Sequence, residues 1–203
     1  MDPIVWYPGH MAKAKRLILE VLPQIDLVIE MLDARVPRAS QNPDFKALFA
    51  QKRSLTILTK TDLADPQRTA YWMDRIRRER DGVLAVDCKR RAGMERVAPA
   101  IRALMREKLE RDRARGARKP IRALVAGITN VGKSTFINTF TGKAKARAED
   151  RPGVTRSNQW IGGPAGVDLL DTPGLLWHKF EEPRVGVKLA CVGAIRDEIM
   201  DTV

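Results

Sequence analysis

Apolar residues in this chain fall into short continuous runs separated by amphipathic stretches, and the two patterns alternate from one end to the other. Asp26–Leu32, Ser54–Leu58, Val83–Val86, Ile121–Ala126 and Val167–Leu170 are mostly apolar and have the length of buried strands. Between them, Met11–Leu22, Phe45–Gln51, Arg68–Arg80, Met94–Arg111, Lys133–Phe140 and Val185–Met200 read as helices. In Met94–Arg111, for example, Val97, Ile101, Leu104, Met105 and Leu109 recur at helical spacing. Gly82 is a natural stop after Arg68–Arg80. Arg111–Pro120, basic and ending in Gly and Pro residues, reads as a linker. Strands alternating with helices predict an α/β fold of three layers, a mostly parallel sheet flanked by helices.

Composition narrows the partners. The 203 residues carry 37 basic and 25 acidic side chains, a net charge of +12, which points to a polyanion. Aromatic residues make up only 5%, so binding to a phosphate backbone is favoured over base stacking. No apolar run approaches the ~20 residues that span a membrane. The longest, around Ile25–Leu32, is broken by Asp26 and Glu30. The first residues show no basic stretch followed by an apolar one, so no secretory signal is read there. Cys88 and Cys191 are far apart and only two histidines occur, which disfavours a disulfide framework or a zinc site and fits a reducing cytoplasm.

The strand Ile121–Ala126 runs into Gly127-Ile-Thr-Asn-Val-Gly-Lys-Ser134, and a helix follows. This is the context a phosphate-binding loop requires. Its glycines let backbone N–H groups approach phosphate oxygens, aided by the helix N-terminus. Asn130, Val131, Gly132 and Thr135 belong to that cradle. Lys133 reaches the β- and γ-phosphates, and Ser134 offers a hydroxyl to Mg²⁺. Asp171-Thr-Pro-Gly174 follows the next strand, about 35 residues on. There Asp171 is a candidate Mg²⁺ partner, and the Gly174 N–H a candidate sensor of the γ-phosphate. Between the two motifs, Thr155 in Pro152-Gly-Val-Thr-Arg156 is a candidate second Mg²⁺ ligand, or a capping hydroxyl.

A phosphate loop does not choose a base. Thr59-Lys60-Thr61-Asp62, after the strand Ser54–Leu58, supplies what guanine needs. Asp62 accepts from guanine N1–H and N2–H₂, a donor pair adenine lacks. The Lys60 stem lies over the purine face. Thr59 stands where Asn is usual and keeps a hydroxyl but no amide, so a weaker tether to the phosphate loop is expected. In Asp87-Cys88-Lys89, Cys88 is placed to offer its backbone N–H to guanine O6, and its thiol reads equally well as a buried structural group. The base motif precedes the phosphate loop, the reverse of the ordinary order. Circular permutation accounts for this, since chain ends often lie close together at a surface.

With Trp6-Tyr-Pro-Gly-His-Met-Ala-Lys-Ala14 and Asp33-Ala-Arg-Val-Pro37, this combination resembles the circularly permuted GTPases of ribosome assembly over essentially the whole chain. The resemblance implies binding and hydrolysis of GTP with GDP as product, Mg²⁺ as cofactor, and late assembly of the large ribosomal subunit. It also implies turnover stimulated by that particle, rRNA rather than DNA as the nucleic acid, and a monomeric cytoplasmic protein. Residues 1–180 are expected to form the permuted GTPase domain, with 1–22 as its N-terminal extension. Residues 181–203 are expected to open a C-terminal helical region cut short at Val203.

Leu175 stands where many GTPases carry a water-positioning Gln. The resemblance therefore assigns catalysis to His10, with a structural turn or an RNA contact as the alternative. It likewise makes Asn130 a K⁺ ligand, or simply a residue that shapes the loop. Asp33 and Arg35 are expected to pair and orient the N-terminal segment, with a catalytic role as the alternative. Arg102–Arg122, with nine basic and three acidic residues, is a candidate rRNA contact or a solvated helix face. The alternative to the enzyme is a nucleotide-gated RNA-binding scaffold in which hydrolysis is incidental.

Overall fold

The computed structural model describes residues 9–143, 159–177 and 182–195. Six strands form one sheet in the order β3-β2-β1-β4-β6-β5. They are β1 (Leu27–Asp33), β2 (Arg53–Thr59), β3 (Gly82–Ala85), β4 (Ile121–Gly127), β5 (Gln159–Gly162) and β6 (Val167–Asp171). All neighbouring pairs are parallel except β5 with β6. The helices are α1 (Gly9–Val21), α2 (Asp44–Leu48), α3 (Pro66–Arg77), α4 (Val97–Leu104), α5 (Arg106–Ala114), α6 (Lys133–Thr141) and α7 (Pro183–Cys191).

β1 lies at the centre and every one of its seven residues is buried. A parallel strand covered on both faces is mostly apolar, and the two acids of β1, Glu30 and Asp33, are paired with Arg80 and Arg35. Leu32, Leu58 and Ala85 pack on one face with Met73 and Ile76 of α3. Leu27, Ile29, Met31, Val125 and Leu169 join Ile101, Phe136 and Ile137 in the larger core. Asp65 starts α3, its carboxylate accepting from the Arg68 amide at 2.7 Å.

Three sequence expectations need correction. The helix expected over Met94–Arg111 is three pieces: a 3₁₀ turn at Met94–Arg96, then α4, then α5 beyond Met105. α5 continues to Ala114, into the expected linker, and ends where Gly116 adopts φ +69°. The helix expected over Val185–Met200 stops at Cys191, and residues 196–200 of that expectation lie outside the described residues. Gly193 (φ +72°) gives its amide to the Ala190 carbonyl and Ala194 gives its amide to that of Leu189, a glycine-terminated helix end. β5 was not anticipated. It is a four-residue antiparallel edge strand with a Trp and an Ile, too short to show a period.

Candidate nucleotide site

Parallel strands bring their carboxyl ends to one edge of the sheet, where α/β folds bind ligands. In the order β2-β1-β4-β6, that edge carries Thr59, Asp33, Gly127 and Asp171. Segments far apart in sequence therefore meet, and they are joined by specific bonds.

The phosphate loop leaves β4 at Gly127, where a Cβ would sit 2.8 Å from the Met31 carbonyl oxygen. Asn130 (φ +55°) and Gly132 (φ +101°) turn the chain into α6. Lys133 is buried, its ammonium donating to the carbonyls of Ile128 (2.9 Å) and Gly127 (3.3 Å). Burial pulls its pKa down to about 8, against the opposing charge of Asp171. Thr135 lies on the first turn of α6.

Burial also raises the Asp171 carboxyl, partly offset by Lys133 and by the Ser134 hydroxyl, which donates to Oδ2 at 3.4 Å. Asp171 Oδ1 is buried and has no hydrogen-bond partner among the described residues. A buried oxygen without a partner beside a serine hydroxyl suits a hard divalent cation. No group of three or more His, Cys, Asp or Glu gathers among the described residues. A carboxylate and a hydroxyl side by side suit Mg²⁺, which takes one or two protein oxygens and completes its shell with water and phosphate. Ser134 and Asp171 would hold it, and it would neutralise charge on the transferred phosphoryl group.

The turn after Asp171 lies against the loop. A Cβ on Gly174 would meet Thr129 Cα at 2.7 Å, so only glycine fits there. The Leu175 amide donates to the Gly127 carbonyl at 3.1 Å, and Asn42 Nδ2 donates to the Leu175 carbonyl at 3.0 Å. Leu175 is aliphatic and buried at 2% exposure, so its side chain neither bonds nor reaches a water.

The base-reading turn is tied to the same loop. The buried Thr59 hydroxyl lies 2.7 Å from the Val131 carbonyl and 3.1 Å from that of Leu32. The tether expected to weaken without an amide is thus made by the hydroxyl. Lys60 adopts φ +56° and sends its ammonium to the Asn130 carbonyl at 2.6 Å. The same ammonium pairs with Asp33 at 3.1 Å. Asp62 is exposed at this edge. Asp87 accepts from the amides of Lys89 (2.9 Å) and Arg90 (3.1 Å), which shapes the turn holding Cys88. Thr139 of α6 bonds the Cys88 carbonyl at 3.3 Å. Burial, with the charges of Asp87 and Asp62, pushes the Cys88 thiol up to about 12.

Sequence reasoning did not find the brace around this site. Asp33 and Arg35 do pair, at 2.7 Å. Their contacts among the described residues run to Lys60 and, at 3.5 Å, to the Val192 carbonyl. Burial works to raise the Asp33 carboxyl, but the Arg35 hydrogen bonds and the Lys60 charge outweigh it and hold it low. At the end of α7, Asn130 Nδ2 donates to the Gly193 carbonyl at 2.7 Å and the Thr129 hydroxyl to that of Ala194. Three consecutive carbonyls of the α7 turn thus hold three side chains of the site. A glycine just past an apolar helix was the readable signal. His10 is placed by its backbone on the first turn of α1, but its side chain, and all of Thr155, lie outside the described residues.

A base-reading turn that precedes the phosphate loop in sequence yet bonds to it in space puts the chain among P-loop GTPases of circularly permuted order. A family model described as "50S ribosome-binding GTPase" matches residues 122–200. Ribosome biogenesis GTPase A of Priestia megaterium is 46% identical over 200 residues, which is 98% of this chain and 69% of that protein. The chain belongs to the ribosome biogenesis GTPase A family. Mouse mitochondrial ribosome-associated GTPase 1 is 36% identical over 98% of this chain and 63% of its own length. The crystal structure of GNP-bound YlqF from T. maritima superposes with a TM-score of 0.63 at 27% identity, covering 93% of this chain and 72% of that one.

Proposed function

We propose that this chain is a GTP-hydrolysing switch that assists late assembly of the large ribosomal subunit, with turnover stimulated by the particle. The observation that carries the reading is the bonding of the base-reading turn to the phosphate loop, through Thr59 to Val131 and Lys60 to Asn130. One rigid unit then selects guanine and holds phosphate. The relatives, ribosome biogenesis GTPases, supply the ribosomal direction.

In this reading Asp62 and the Cys88 and Lys89 amides take the base, while 130–135 and Gly174 take the phosphates. Ser134, Asp171 and Thr155 hold Mg²⁺. Leu175 is apolar and buried, so the attacking water is oriented by another group. His10, as a neutral imidazole, is assigned that role. Asn130 Nδ2 is engaged by Gly193, which leaves Oδ1 as the side chain's acceptor for K⁺. Residues 1–180 form the GTPase domain, and 181–203 open a helical region that Leu189, Ala194 and Ile195 anchor in the same core. The protein acts as a cytoplasmic monomer. The buried Leu175 also favours a second reading, an RNA-binding scaffold gated by nucleotide, in which hydrolysis is incidental.

His10→Ala separates the two. On the switch reading, turnover with large subunits falls while GTP affinity and subunit binding hold. Unchanged turnover removes His10 from the mechanism. Unchanged assembly activity in a variant that no longer hydrolyses GTP favours the scaffold.

A further inference from the structure

The opposite edge of the sheet carries a feature with no role in nucleotide chemistry. Residues 116–119 enter β4 at its amino end, so the seven residues of Ile121–Gly127, about 20 Å of strand, separate them from the phosphate loop. There a cavity of about 590 Å³ is lined by Arg102, Arg113, Arg118 and Lys119 around the lone acid Asp112. Asp112 is already paired, with Lys108 at 2.8 Å. Arg113, Arg118 and Lys119 make no ion pair among the described residues, nor do the neighbouring Arg111 and Arg115.

The walls of this cavity are held in place. Arg102 donates to the Ala165 carbonyl at 2.9 Å. The amides of Gly116 and Ala117 close the end of α5 onto the carbonyls of Arg113 and Asp112, both at 2.9 Å. α5 itself buries no residue. It packs the partly buried Leu109 against the core, while its Arg111 and Arg113 make no ion pair among the described residues, so their positive charges add to those of Arg115, Arg118 and Lys119 and repel one another. An anionic ligand would relieve that repulsion.

We propose that this cavity is an RNA-backbone site, in which Arg113, Arg118 and Lys119 take phosphodiester oxygens on the face of the domain away from the nucleotide. The choice of RNA as the source of the phosphates rests on the ribosomal reading above. The geometry and charge call for the phosphodiester. Binding there leaves the nucleotide edge open, so RNA and GTP are held at once.

The test is fluorescence anisotropy of a labelled 20-nucleotide RNA hairpin over a salt series. It compares the full chain with R113A/R118A/K119A and with R75A/R77A/R78A, a triple of equal charge change on the α3 side. Each phosphate contact contributes about 0.7–0.9 to the slope of log K against log salt. The cavity triple is expected to lose about 2 from that slope and at least tenfold in affinity at low salt. The α3 triple should stay near wild type, and GTP affinity should hold in both. An unchanged slope in the cavity triple, an equal loss in both triples, or no RNA binding by wild type overturns the site. Co-sedimentation of wild type with large subunits tests the ribosomal reading separately. Hairpin binding without subunit binding would sink that reading and leave the cavity standing.

Discussion

Thr59 joins base selection to phosphate binding, and removing its hydroxyl measures that link. Valine keeps the shape of the side chain and deletes only the donor. The hydroxyl is buried at 1% exposure and serves the Val131 carbonyl at 2.7 Å. Losing a hydrogen bond costs about 1 kcal/mol, and leaving a buried carbonyl unsatisfied costs about 1–3 kcal/mol. The Leu32 carbonyl, at 3.1 Å, shares the same single proton and adds little. Thr59→Val should therefore lower stability by about 1–2 kcal/mol. Because Val131 lies inside the phosphate loop, part of the loss should appear as about three- to tenfold weaker GTP binding. Urea unfolding gives the first number and titration with a fluorescent GTP analogue the second. Thr59→Ser, which keeps the hydroxyl, should recover most of both. If Thr59→Val matches wild type in both assays, or Thr59→Ser is equally damaged, the hydroxyl does not make the link.

Other expectations follow from buried charge, thiol chemistry, the α7 turn and base selection. Glu30 is buried in β1 and paired with Arg80 at 2.9 Å; burial raises its carboxyl, partly offset by Arg80. A raised folded pKa means stability falls as pH climbs from the unfolded value, near 4.5, through the folded one. Arg80→Ala should cost about 3 kcal/mol or more at pH 7.5 and clearly less at pH 5, as read by urea unfolding at both. With its thiol pushed up to about 12, Cys88 should resist iodoacetamide at pH 8 while exposed Cys191 reacts, and peptide mapping distinguishes them. Gly193→Ala meets no atom within 4 Å but strains φ +72°, so it should cost about 1 kcal/mol and weaken GTP binding through the carbonyls that hold Thr129, Asn130 and Arg35. Asp62→Asn should reduce GTP binding at least tenfold and favour xanthosine triphosphate, whose C2 carbonyl can accept from the new amide.

Local physics explains which parts of the molecule were legible. The five parallel strands are largely buried and declare themselves as mostly apolar runs, and the phosphate loop has fixed spacing between a strand and a helix. The order of the base and phosphate motifs was enough to read the permutation. β5 was invisible because four residues at a sheet edge carry no period. The break at Met105 was hidden because the apolar positions of α4 and α5 keep helical spacing across it. Beyond the glycine that follows α7, the brace left no local signal, because Asp33, Lys60, Asn130 and Gly193 meet only through the sheet order. Thr59 shows the limit from the other side. Its departure from the usual Asn looked like a loss, and only its burial against Val131 revealed a tether that a hydroxyl can supply.

GTP turnover with and without purified large ribosomal subunits, measured in K⁺ and in Na⁺ with ATP as the control nucleotide, tests the ribosomal GTPase switch itself. Turnover of GTP alone should be slow, the subunits should stimulate it strongly and more so in K⁺, and ATP should show no comparable turnover. Equal turnover of ATP would contradict the base-reading role of Asp62, and GTP turnover unmoved by the subunits would contradict the ribosomal switch.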